Sequence, residues 1–190
     1  MFKRVYIEIS NICNLQCSFC PVVDRDNKIL EIDAFKKILK QVAPITEEAC
    51  LHLMGEPIAH PNFAQIISIC CDLNVPIQLT TNGVVIEQKK KILLENNSIR
   101  QINFSIQSYK DNFPDRSLKD YLLPIFDFTK ELYQRRPEVY VNYRLWNMAD
   151  QEEPDNEEFF NLLESYFNIE VNRRVQVEAI KSKKIKDRLY

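Results

Sequence analysis

Glycine is nearly missing from this chain: there are 2 in 190 residues, where average usage of about 7% gives roughly 13. A pair at positions 55 and 83 excludes a G-x-G-x-x-G dinucleotide turn and a Walker-type phosphate loop, since each needs several glycines in one turn. In so glycine-poor a chain, both are expected where the backbone takes φ > 0 or where a ligand comes close, the alternative being two ordinary turns. Long apolar runs are absent as well. No stretch is long enough to span a bilayer, and the opening Met1-Phe2-Lys3-Arg4-Val5 has no signal-peptide core. The expectation is a cytoplasmic protein with no membrane partner, in a compartment that keeps thiols reduced. An excess of one charge is also missing. Lys plus Arg total 25 against 27 Asp plus Glu, a net charge of −2 that offers no broad attraction to nucleic acid or anionic lipid.

Cysteine is present and clustered. Ser10-Asn11-Ile12-Cys13-Asn14-Leu15-Gln16-Cys17-Ser18-Phe19-Cys20-Pro21 places three thiols at C-x-x-x-C-x-x-C spacing. Random scatter of 6 cysteines would produce such a pattern roughly 0.006 times per chain. Soft thiolates at this density bind zinc or an iron–sulfur cluster. A closed structural site takes four protein ligands, whereas a cubane held by three leaves one iron open to a substrate or cofactor. Zinc knuckles pair with a second C-x-x-C 12 to 20 residues on, but here the next cysteine is Cys50; haem attachment needs His where Pro21 stands. An open iron–sulfur cluster is the leading reading, with structural zinc, a disulfide and inert thiols left as alternatives.

Strand-like runs near residues 4–10, 49–54, 75–80, 99–107, 139–146 and 174–180 alternate with helical patterns. Phe35, Ile38, Leu39 and Val42 form one stripe behind an expected Asp33 cap. Phe63, Ile66, Ile67 and Cys70 follow Asn62, and Phe159, Leu162, Leu163 and Tyr166 follow Asp155. Segments 87–95 and 117–135 are less regular, and Pro124 should kink the second or make it start late. Alternation of this kind implies parallel βα units, and a length of 190 holds about six of the eight in a full barrel. The expected fold is therefore α/β, a partial (βα)6 TIM-like barrel with parallel strands and outer helices, in one domain over 1–190. Each strand run carries an apolar row, such as Leu51-Leu53 or Ile102-Phe104-Ile106, expected under the helices. The opposite row is polar, as in Glu8-Ser10, His52, Gln78-Thr80-Asn82, Asn103-Ser105-Gln107 and Asn142-Arg144, and should line a wet cavity. Ligands of such barrels bind at the C-terminal strand ends. There the cysteine loop, Gly55-Glu56-Pro57, Thr81-Asn82-Gly83, Ser105 and Arg144 converge.

These motifs resemble those of radical S-adenosylmethionine (SAM) enzymes over essentially the whole length. Cys13, Cys17, Phe19 and Cys20 match the family's C-x-x-x-C-x-aromatic-C loop. The resemblance implies that the three thiolates hold a 4Fe-4S cluster whose fourth iron chelates the amino and carboxylate groups of SAM, with Phe19 near the cluster and adenine. Gly55-Glu56-Pro57 matches the family's G-G-E-P motif for the methionine amino group, with Met54 replacing the first glycine. Ser105 and Arg144 resemble residues that hold the SAM carboxylate and ribose, and Asn82 and Gln107 are further candidates. A glycine-containing fifth-strand motif that supports adenine in many members is absent. The implied reaction is reductive cleavage of SAM to methionine and a 5′-deoxyadenosyl radical, which abstracts hydrogen from a substrate. A peptide or protein substrate is favoured, with an electron donor such as a flavodoxin or ferredoxin, and nucleic acid is disfavoured.

Other residues receive plainer readings. Cys50 and Cys70 are expected as small core residues, Cys71 is left open, and His52 is a hydrogen-bonded structural histidine or a proton donor. His60-Pro61-Asn62 is read as a turn into a helix, and the basic tail 181–188 as a solvated end. Trp146 and the 111–116 loop are candidates for substrate contact. The chain stops just after the sixth run with no further cysteine cluster. That layout resembles members carrying a SPASM or twitch extension, so a protein cut short is the expectation. The alternative function is a non-catalytic iron–sulfur or zinc module, or a truncated remnant.

Overall fold

The computed structural model describes residues 1–22, 24–145 and 154–171. Five strands, β1 (Phe2–Tyr6), β2 (Thr46–Cys50), β3 (Ile77–Thr81), β4 (Ile99–Ser105) and β5 (Tyr140–Arg144), form one parallel sheet in the order β1-β2-β3-β4-β5. Helices return the chain between them: α1 (Ile32–Val42), α2 (Phe63–Asp72), α3 (Ile86–Glu95), and the pair α4 (Tyr109–Asn112) and α5 (Leu118–Arg135). Strands that add one after another on the same side are the order of a βα barrel. A doubly wound sheet reverses its order midway. The expected architecture thus stands as an open parallel sheet with helices. The expected sixth strand at 174–180 lies outside the described residues.

The chain divides into two units, Met1–Glu152 and Glu153–Tyr190. In the second, helix α6 (Pro154–Phe167) begins before Asp155, so that residue is inside the helix and does not cap it. The helix stops where Asn168 takes a left-handed φ of 53° and Glu164 Oε1 accepts from the Val171 amide at 2.9 Å.

In the first unit, the apolar stripes pack as their spacing requires. Phe35 and Leu39 of α1, Phe63, Ile66, Ile67 and Cys70 of α2, and Leu122, Ile125, Phe128 and Leu132 of α5 are buried. So are Ile7, Ile9, Leu51, Ile77, Leu79, Ile102, Phe104 and Ile106 of the apolar rows. Each such aliphatic or aromatic side chain contributes about 1.5–3 kcal/mol on burial. Leu53 departs from its row and is 65% exposed, because β2 ends at Cys50 and the chain is already turning toward Gly55. Ile38 likewise lies at the exposed edge of its stripe.

The boundaries shift for identifiable reasons. β1 and β2 lie earlier than the apolar runs suggest, since the register Arg4↔Glu48 pairs their polar starts. Beyond β1 the chain stays extended, with the Ile7 amide on the Cys50 carbonyl at 2.8 Å and Ser10 bridged to Ile29. Glu31, not Asp33, is the N-cap of α1, and Asp33 sits in the first turn where its charge favours the helix dipole. Asn62 does occupy the N-cap of α2, without a side-chain capping bond.

Pro124 neither breaks α5 nor delays it. Having no N–H, it cannot serve the Asp120 carbonyl one turn earlier, and the Arg116 guanidinium donates to that oxygen instead at 2.6 Å. Gly83, at φ +77°, lets α5 close on the end of β3, since a Cβ there would lie 2.6 Å from Ile125 Cδ1.

Candidate active site

The cysteine loop is closed at its base by Asn11. Its Nδ2 donates to the Asp26 carbonyl at 2.8 Å, its Oδ1 accepts from the Lys28 amide at 2.7 Å, and its own amide meets the Lys28 carbonyl. The Ser10 hydroxyl turns the chain by accepting from the Ile12 amide at 3.0 Å. Gly55 lies directly beneath. At φ +73°, a Cβ would overlap the Ser10 carbonyl and lie 2.8 Å from the Ile12 carbonyl, while the neighbouring Glu56 amide donates to Ile12 at 2.9 Å. Both glycines therefore serve the left-handed backbone and close approach expected of them, and Gly55 docks the strand-two turn onto the loop.

Cys13, Cys17 and Cys20 are free thiols set in this loop. Burial of its sulfur is the main cause that pushes the Cys13 thiol up, with Glu56 and Cys20 adding to it. Burial also raises Cys17 first, and Cys13, Asp111 and Cys20 act in the same direction. Each thiol thus lies within electrostatic reach of the other two. Among the described residues no three His, Cys, Asp or Glu side chains gather as a single-ion site. N–H groups face the sulfurs: the Leu15 amide and Asn82 Nδ2 donate to Cys13 at 3.4 and 3.8 Å, and Asn112 Nδ2 donates to Cys17 at 3.3 Å. Such donors suit thiolates that carry charge. Phe19 is half-buried in the same loop.

Glu56 is buried, yet no cation among the described residues pairs with it. Its Oε1 accepts from the Ile58 amide at 3.2 Å and its Oε2 from the Asn82 amide at 2.7 Å. Burial raises its pKa to about 7 against these stabilising donors. The carboxylate ties the strand-two turn to the end of β3, and Pro57, also buried, opens a short 3₁₀ turn that fixes the direction of exit. Asn82 is a hub: Nδ2 donates to Asn14 Oδ1 at 2.8 Å, Oδ1 accepts from the Val84 amide at 3.0 Å, and its carbonyl accepts the Tyr121 hydroxyl. Ser105 and Arg144 face each other in register at the ends of β4 and β5. Gln107 follows in the turn after β4, its Oε1 buried without a hydrogen-bond partner.

The polar rows share one face. Asn103 Nδ2 donates to the Leu79 carbonyl at 3.0 Å, and its Oδ1 accepts from Gln101 at 2.8 Å and Asn142 at 3.0 Å. Burial lowers the Arg144 pKa on β5, with Tyr6 on β1 and Cys50 on β2 acting in the opposite direction. Cys50 is fully buried, the small core residue expected, with its thiol donating to Gln78 Oε1 at 3.2 Å. His52 lies 2.9 Å from Thr80 Oγ1, and burial with the Arg144 charge drops its pKa to about 4. It is a neutral structural imidazole at pH 7. Cys70 is pushed up to about 12 by burial and is inert, as expected. His60 takes the Asn62 amide on Nδ1 at 3.0 Å, the turn into α2 that the sequence suggests. Beside the loop a cavity of about 590 Å³ is lined by Glu8, Ser10, Asn11 and the 24–30 stretch. Its charges pair among themselves, as in Arg25 with Glu8.

Sequence reasoning missed Asn14 and Tyr121 and offered Asp111 and Asn112 only as part of a substrate-contact loop, whereas they hold the cysteine loop. Their one visible signal is a cluster of amide and acid side chains just after the fourth strand run.

A parallel βα sheet with strands added in one direction and a three-thiol loop after its first strand defines an open α/β partial barrel. Residues 7–163 match the Radical SAM superfamily, and the chain belongs to that family. PqqA peptide cyclase of Bradyrhizobium diazoefficiens is 29% identical over 115 residues, covering 59% of this chain and 30% of that protein. GTP 3',8-cyclase of Synechocystis sp. is 28% identical over 111 residues, covering 56% and 34%. The chain thus matches about a third of the length of these curated relatives. Among solved structures, Streptococcus suis SuiB bound to S-adenosylmethionine superposes with a TM-score of 0.66 at 17% identity, over 99% of this chain and 49% of that one. SuiB bound to precursor peptide SuiA gives 0.65 at 20% identity, over 87% and 37%. At these identities the likeness is one of fold. Among the described residues no helix is long and apolar enough to cross a membrane.

Proposed function

We propose that this chain is the core, over 1–190, of a radical SAM enzyme in which Cys13, Cys17 and Cys20 hold a 4Fe-4S cluster. The observation that carries the reading is the set of three free thiols in one loop pinned from below by Gly55. When bound, the cluster with SAM supplies one-electron reduction of the sulfonium, giving methionine and a 5′-deoxyadenosyl radical that takes a hydrogen atom from the substrate.

The chain's own residues bind and orient. Gly55, Glu56 and Pro57 offer backbone groups and a carboxylate to the methionine ammonium. Glu56 has lone pairs left beyond its two amide bonds, and an approaching ammonium favours its ionised form. Arg144 grips the SAM carboxylate beside Ser105, which with Asn82 and the unpartnered Gln107 Oε1 meets ribose and base. Phe19 would pack near the cluster and adenine. The hydrogen-bonded floor of Asn103, Gln101 and Asn142 keeps the deeper polar side chains from competing for ligand.

A peptide or protein substrate fits best, in line with a relative named for a peptide and a fold neighbour solved with one. The electron donor is a flavodoxin or ferredoxin, and the setting is the reducing cytoplasm, where thiols survive as ligands.

The test is anaerobic reconstitution with iron and sulfide, followed by dithionite and SAM and an assay for 5′-deoxyadenosine. Product that needs each of the three cysteines supports the reading. A colourless protein with stoichiometric zinc and no product replaces it with a structural metal module.

A further inference from the structure

Helix α4 is one turn long and exposed at its end, yet two consecutive residues in it hold three consecutive residues of the cysteine loop. Asn112 Oδ1 accepts from the Gln16 amide at 2.9 Å, while its Nδ2 donates to Cys17 Sγ at 3.3 Å and to the Ser108 carbonyl at 2.9 Å. Asp111 Oδ2 accepts from both the Ser18 amide at 2.7 Å and the Ser18 hydroxyl at 2.8 Å. The orientation of the Asn112 amide is fixed by its partners. A backbone N–H can only donate and a carbonyl can only accept, so oxygen faces Gln16 and nitrogen faces Ser108 and the sulfur.

We propose that Asn112 is a positioning residue that raises the reduction potential of the cluster through its N–H···S bond to Cys17, with Asp111 holding the loop in place for that bond. The inference rests on the reading of Cys17 as a cluster ligand. One-electron reduction adds negative charge that spreads onto the ligating sulfurs, so a donor aimed at one of them is worth more in the reduced state than in the oxidised one. Cys13 has its own donors in Leu15 and Asn82, but the side-chain contact there is longer. Asn112 is thus the nearest side-chain donor to any of the three sulfurs among the described residues. It also links cluster potential to the exit of β4, the strand that carries Ser105, so the ligand pocket and the electron acceptor share one support.

The experiment is an EPR-monitored redox titration of the reconstituted full chain, compared at equal iron and sulfide content. At the wild-type midpoint, Asn112→Leu should lower the ratio of reduced to oxidised cluster by about threefold, the worth of one modest hydrogen bond. Asn112→Asp keeps an acceptor for Gln16 while replacing the donor with a charge, and should lower the ratio further. Asp111→Asn keeps an acceptor for Ser18 but removes a negative charge near Cys17, and should raise it. If neither Asn112 variant takes up the cluster, Asn112 serves loading and not potential, and the inference is overturned. An unchanged midpoint in the loaded fraction, with only stability or iron content altered, overturns the inference and leaves Asn112 a structural latch. Wild-type protein that forms no cluster overturns it together with the reading of Cys17.

Discussion

Two buried glutamates near opposite ends of the second βα unit meet opposite fates. Glu48, 4% exposed at the N-terminal end of the sheet, pairs with Arg4 from the neighbouring strand and with Arg100 from β4 at 3.3 Å. Glu56, 2% exposed at the C-terminal end, has only main-chain amides and the Thr81 hydroxyl for company, and its pKa rises to about 7. The floor of the sheet closes its charges on one another. At the mouth, among the described residues, a carboxylate lacks a cation, an arginine on β5 lacks a carboxylate, and three free thiols lie in one loop. A half-buried charge without a counter-ion costs stability, and a fold carries such groups where a ligand completes them.

The contrast breaks most visibly at the thiols. Cys17→Ala should abolish iron and sulfide uptake and bring 5′-deoxyadenosine to background, while far-ultraviolet circular dichroism stays that of the wild type, because the loop contributes little to the core. Loss of the fold with the metal would show that the mouth also holds the sheet together.

Next in size is Gly55→Ala. The left-handed backbone alone costs about 1–3 kcal/mol, and the overlap with the Ser10 carbonyl must move the loop. Chemical denaturation should register the loss and cluster content should fall with it. Normal loading would mean that the docking of turn on loop is dispensable.

Glu56 sharpens the comparison through pH. Its unfolded pKa is near 4.5 and its folded value about 7, so between those limits the folded chain alone keeps the proton. Stability therefore falls as pH rises from 4.5 to 7, by about 3 kcal/mol, and levels off above. Glu56→Gln should flatten that slope in denaturation curves taken across the window. A slope that survives the substitution belongs to another group.

The smallest effect is expected at the floor. Glu48→Gln leaves two half-exposed arginines that water can solvate, at a cost of about 1–2 kcal/mol, with cluster loading and product formation unchanged. A drop in loading would mean that the two ends of the sheet are coupled.

Much of this was readable from residue order. Alternating apolar rows and helical stripes determine a parallel βα sheet, because side chains two apart on a strand and three or four apart on a helix must share a face. The cysteine spacing determines that three thiols share one short loop, and the structure has all three there as free thiols. Scarcity made the two glycines informative, and both take the positive φ expected of them. Where patterning failed at Pro124, a side chain within the same segment was deciding: the helix continues, and the Arg116 guanidinium donates to the Asp120 carbonyl that the missing N–H leaves open.

What only the tertiary structure decided is the support of the site. Asn112 lies 95 residues from Cys17 and Asn82 lies 69 from Cys13, separations across which no local pattern carries information. Sequence determines which faces are apolar and which side chains can bind a metal, since both are properties of the residues themselves. Which amide meets which sulfur depends on how the strands pair and where each strand ends, and those are set by the packing of the whole chain.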